Sequence, residues 1–167
     1  MVRLKITTTV STTLSAVKDT YISNDSKDSN YGSSAVIRMD ESGGGFGDGR
    51  VLLQFDLGLI PSGATISSAT LQVEANGKVG ASGDESIISV YEITESWDEG
   101  DGTSDNDATW FDRQTDVPWG SEGGDFDSTP LSPLTVTAGF GGHTWDVTDL
   151  VEDWVNGGKD NNGLMLA

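Results

Sequence analysis

The chain contains no cysteine, which excludes a disulfide framework, a thiolate metal site and a cysteine nucleophile together. Basic residues are scarce: 9 Lys and Arg stand against 27 Asp and Glu, for a net charge of −18. Such a surface is repelled by phosphate backbones and anionic bilayers, so neither nucleic acid nor membrane insertion is expected. Adaptation to a salty medium and capture of divalent cations are the two ordinary uses of that acidity, and composition does not separate them. No apolar run reaches transmembrane length, and the first residues lack a signal-peptide core, so the chain reads as soluble. His143 is the single imidazole and is expected to be a packed or solvated structural residue.

What is present reads as one all-β domain. At 167 residues a single core burying roughly 70% of the unfolded surface suffices. Alternation of apolar and polar residues predicts strands over 2–10, 16–22, 35–39, 50–57, 65–75, 87–94, 134–137 and 143–145. In the strand 50–57, Leu52 faces away from Val51, Leu53 and Phe55, which predicts a layer covered on both sides. Turn formers every 8 to 12 residues complete the signature of an antiparallel jelly-roll sandwich. One helix stands out. Val147, Leu150, Val151, Trp154 and Val155 share a face; Asp146 sits where a side chain can accept from the first free amides, and Gly157-Gly158 supplies a left-handed exit. Residues 95–130 have no clean period, and a long irregular segment in a compact domain is usually functional.

That segment holds the candidate sites. Asp98, Asp101, Asp105, Asp107 and Asp112 crowd one stretch, and Asp101, Thr103, Asp105, Asp107 and Asp112 fall at positions 1, 3, 5, 7 and 12 of a calcium loop. Asn106 stands in place of the sharp-turn glycine, and no flanking helices are predicted, so a solvated acidic loop competes with a calcium site. Glycan binding ordinarily uses an exposed aromatic face stacked on a sugar ring. Trp119, beside Pro118 and Gly120, is the best candidate and Trp110 the next, unless each merely pins the loop; Trp97, Trp145 and Trp154 are expected in the core. No spacing selects a nucleophile, a phosphate loop or a carboxylate pair, so no enzymatic activity is expected.

Several runs together resemble the DNRLRE domain family, also classified as carbohydrate-binding module family 96 and related to disaggregatase repeats. They are DTYIS from Asp19, NYGSS from Asn30, LQFDL from Leu53, IPSGATISSATL from Ile60, VYEITESWDEG from Val90, ATW from Ala108, GGDFDSTP from Gly123, WDVTDLVEDWVNG from Trp145 and NGLML from Asn162. The resemblance covers residues 18–167 as a β-sandwich domain and leaves 1–17 as an N-terminal extension or edge strand. It implies a non-catalytic module outside a cell, on its surface or on a virion exterior, with alginate-like glycans as ligands of one branch. An acidic polysaccharide would meet this charge only through a bridging cation or a basic patch near Arg38, Arg50 or Arg113. Family members usually continue past the position of Leu166, so either the chain is trimmed or a neighbouring chain completes the sheet. The resemblance therefore leaves two readings open, a glycan-binding or adhesive module and a structural subunit such as a virion decoration protein. The partners are correspondingly a glycan or neighbouring protein subunits, including further copies of the chain.

Overall fold

A computed structural model describes residues 9–39, 48–75, 85–103, 107–137 and 141–167. The chain is an antiparallel all-β sandwich with one short helix. Its strands are β1 (Ala16–Ser23), β2 (Gly49–Phe55), β3 (Thr70–Ala75), β4 (Glu85–Glu92), β5 (Asp112–Gln114), β6 (Val117–Pro118), β7 (Ser132–Thr137), β8 (Gly141–Asp146) and β9 (Leu164–Leu166), with α1 (Thr148–Asn156) before the last. The main sheet runs β1-β2-β9-β4-β7, and β3-β8 and β5-β6 form two-stranded sheets.

The main sheet is covered on both faces, because its central strands are apolar on both. Val51, Leu53, Val90, Leu164 and Leu166 point to one side, where Leu71, Trp145, Val147, Leu150 and Trp154 from the β3-β8 ribbon and α1 complete a cluster. Ile22, Leu52, Ile93 and Met165 point to the other, against Trp97, Ala108, Trp110 and Trp119. The second cover is the irregular segment 95–130. It binds to the sheet rim through backbone bonds, among them Thr94 N to Asp125 O (3.0 Å) and Asp127 N to Glu92 O (2.9 Å).

β9 is threaded between β2 and β4, antiparallel to both: Leu53 and Glu92 flank Leu164, and Val51 and Val90 flank Leu166. Its approach is fixed by side-chain amides. Gln54 donates to Asn161 O (2.6 Å), and Asn161 donates back to Phe55 O (2.9 Å). Gly163, at φ 96°, passes so close to the Leu53 backbone that a Cβ there would collide with it.

α1 forms as its periodicity predicts, with Leu150 and Trp154 buried. The residue ahead of the helix is Val147, which has no side chain to cap with. Asp146 serves from one position earlier, accepting from Thr148 N (2.9 Å) and Thr148 Oγ1 (2.6 Å). Gly157 is left-handed at φ 71°, and Gly158 N returns to Asp153 O (2.9 Å).

Residues 35–39 form no strand. The Ser34 hydroxyl donates to Val36 O (2.7 Å) and accepts from Val36 N (3.3 Å), bending the backbone out of ladder geometry; Ile37 and Met39 nonetheless pack against the first cluster. The 65–75 stretch enters a ladder only at Thr70. Residues 2–8 of the expected first strand lie outside the described residues, and Thr9 and Val10 are not in a strand.

Candidate functional site

Trp119 and Trp110 are each 5% exposed, which corrects the expectation of an exposed stacking face on either. Both pack among Leu52, Ile93 and Met165. Trp119 Nε1 donates to Thr109 O (3.0 Å), and Trp119 N to Phe111 O (2.9 Å). An apolar sheet face has to be covered, and in a segment without regular structure large aromatic rings are what can cover it. Trp97, Trp145 and Trp154 are buried as expected, at 1%, 2% and 8% exposure.

The acidic stretch is held largely by its own neighbours. Asp98 accepts from Lys18 Nζ (3.2 Å) and Gln114 Nε2 (3.0 Å). Asp101 accepts from Thr103 N (2.9 Å), and Asp107, at φ 57°, accepts from Thr115 Oγ1 (3.0 Å). Asp112 belongs to β5 and donates its amide to Thr109 Oγ1 (2.9 Å), while Asp105 lies outside the described residues. Among the described residues, no three acidic or histidine side chains converge as a metal would require.

What the fold does assemble is a groove of about 670 Å³ above the loop 119–128, with Arg50, Thr94, Glu95, Ser121, Phe126 and Ser128 on its walls. The loop is built around Asp125, whose carboxylate accepts from Gly120 N (2.6 Å) and Ser121 N (2.9 Å). Gly123 follows at φ 85° and donates to Trp110 O (2.8 Å). A Cβ on Gly123 would stand 2.7 Å from the Arg50 guanidinium and 2.8 Å from the Trp110 ring. Glycine is what brings its carbonyl to Arg50, which donates to it at 2.6 Å.

Arg50 lies over two aromatic rings, 5.0 Å from the Trp110 centroid and 5.1 Å from that of Phe126. Burial lowers its pKa, partly offset by the nearby Asp48 carboxylate, but a guanidinium stays charged at any physiological pH. Phe126 meets the Tyr91 ring edge-on at 5.1 Å. Glu122 turns to Lys27 (2.8 Å). The groove therefore offers a fixed cation, the Glu95 carboxylate, hydroxyls from Thr94, Ser121 and Ser128, and the half-buried Phe126, a set suited to holding sugar hydroxyls.

The model of carbohydrate-binding module family 96 matches residues 10–167. The chain belongs to that family. Family 96 is a family of carbohydrate-binding modules, which agrees with a groove of dispersed hydrogen-bonding groups. The match begins at residue 10 and so takes in the segment ahead of β1. No protein of curated function matches the chain. Among the described residues, no helix is long and apolar enough to cross a membrane.

Sequence reasoning named Arg50 only as a basic position and did not single out Glu95, Phe126 or Ser128. The missed signal was Gly123-Gly124 directly before Asp125 and Phe126, a backbone that comes close to something, within a segment that had to cover Leu52.

Proposed function

We propose that this family 96 module binds a neutral polysaccharide in the Arg50–Phe126 groove, outside a cell or on the exterior of a particle, where it serves adhesion or targeting without chemistry of its own. The observation that supports this is the Arg50 guanidinium, positioned by the Gly123 carbonyl and two aromatic rings at the groove wall. A cation immobilised in this way donates to hydroxyls at little entropic cost. The groove lining carries one cation against Glu95, Glu122 and Asp125. With a molecular charge of −18 behind it, that balance favours a hydroxyl-rich neutral chain over a polyuronate.

Affinity electrophoresis through gels cast with xylan, laminarin or alginate tests the reading. The wild-type protein is expected to be retarded in at least one neutral gel and to run freely in alginate without added calcium. Arg50→Lys and Glu95→Ala, each with an unchanged melting temperature, are expected to weaken retardation about tenfold, the loss of one good charge-assisted contact. Retardation in alginate alone would overturn the neutral ligand. Undiminished retardation of both variants would overturn the location.

A further inference from the structure

On the face of β1 and β2 opposite to Arg50, two tyrosines are stacked. Tyr21 and Tyr31 lie with ring centroids 4.0 Å apart and planes 15° from parallel. Tyr21 is the inner ring, packed against the core cluster of Val51, Leu53 and Trp145; Tyr31 belongs to neither core cluster and is half-exposed. One face of Tyr31 is taken by Tyr21, and the side chain keeps part of its surface in solvent.

The outer ring is held by an unusually rigid base. Asn30, 4% exposed, donates to Glu99 O (2.8 Å) and Ala108 O (2.9 Å) and accepts from Gly32 N (3.1 Å) and Gly102 N (2.8 Å). Every hydrogen-bonding position of its amide that can be filled in that pocket is filled. Gly32 lies so close to the Glu99 and Gly100 carbonyls that no side chain fits there, and Ser34 N closes a turn onto Tyr31 O (2.9 Å). Burial raises the Tyr21 hydroxyl pKa, with the stacked Tyr31 hydroxyl adding to the shift and Arg38 opposing it. Arg38 is exposed, forms none of the ion pairs among the described residues, and follows Val36, 44% exposed.

We infer that the outer face of Tyr31 is a second sugar-stacking platform, taking the C–H face of a pyranose ring. It rests on the glycan-binding reading of the module. A flat ring fixed from beneath loses almost no entropy on stacking, which is how aromatic platforms gain affinity. Side chains of Tyr21 and Ile22 alternate across β1, and Ile22 is opposite Arg50 on β2. Tyr21, on which Tyr31 stacks, and Arg50 consequently point to opposite faces of the main sheet, so the platform and the groove are separate sites and one molecule would hold two polysaccharide chains.

The test uses the intact protein with laminarin and xylan. Tyr31→Ala is expected to weaken retardation several-fold, and Tyr31→Phe, which keeps the ring face, to preserve it. Titration with laminari-oligosaccharide should shift the Tyr31 ring resonances in NMR spectra, a readout that loss of stability does not imitate. Mixtures of wild-type protein and long-chain laminarin should turn turbid by cross-linking, and both Tyr31→Ala and Arg50→Lys should abolish the turbidity. Wild-type retardation of Tyr31→Ala, or unmoved Tyr31 resonances while Arg50→Lys weakens binding, overturns the second platform and leaves the groove standing. Absence of retardation of the wild-type protein in both neutral gels overturns the platform and the groove together.

Discussion

Replacing Trp119 by alanine removes an indole that is 5% exposed and bonded to Thr109 O. The cavity and the orphaned carbonyl together are expected to cost about 3–5 kcal/mol, read as a lower urea midpoint. A binding platform on the surface would behave differently, losing affinity at constant stability. Equal midpoints for Trp119→Ala and wild type would restore the exposed reading. The residue type was legible in the sequence, but its role was not. Next to Pro118 and Gly120, Trp119 has the local signature of a loop tip, and local signature carries no record of an apolar sheet face beneath it. Leu52 held that record, since an apolar side chain on the second face of β2 demands a cover, and the Trp-rich segment was the chain's best supply of one. Arg50 was visible as a charge, whereas its place over Trp110 and Phe126 depends on contacts across 60 to 76 positions of sequence, by subtraction of their numbers.

Among elements, α1 was the most legible, because a 3.6-residue period and two marked ends are local properties. β2, β4, β7 and β8 were recognisable from their residue pattern, with ends displaced by at most two residues. Residues 35–39 are a short apolar run of the same kind, but the Ser34 hydroxyl two positions upstream of Val36 bonds to both its amide and its carbonyl and holds the backbone out of a ladder. Asp146 offers a test at this scale. Its carboxylate is held below the usual range, first by the Thr148 hydroxyl and then by the Thr148 amide. A depressed folded pKa stabilises the fold above the unfolded value of the group, and the contribution disappears as pH falls through the folded value. Urea unfolding of Asp146→Asn and of wild type should therefore differ at neutral pH and converge in acid. A constant difference across that range would remove the ionised carboxylate from the account.

For the whole molecule, a charge of −18 on 167 residues opposes compaction by self-repulsion, and only three ion pairs occur among the described residues. Raising sodium chloride from about 10 mM to about 0.5 M shortens the screening length from roughly 30 Å to under 8 Å. The melting temperature is expected to rise accordingly, and a fall would mean that attractive pairs outweigh the repulsion. The placement of β9 bears on a different property. A three-residue strand bonded on both sides keeps the β1-β2 and β4-β7 halves of the main sheet together, and Gln54 and Asn161, 107 positions apart, guide it into place. A pull along the strand from Ala167 loads both flanking ladders at once, in shear, so their hydrogen bonds must yield together and not one after another as in a peeled edge. For a module that holds on to a polymer, β9 thereby places a line of high resistance to such a pull in the middle of the sheet.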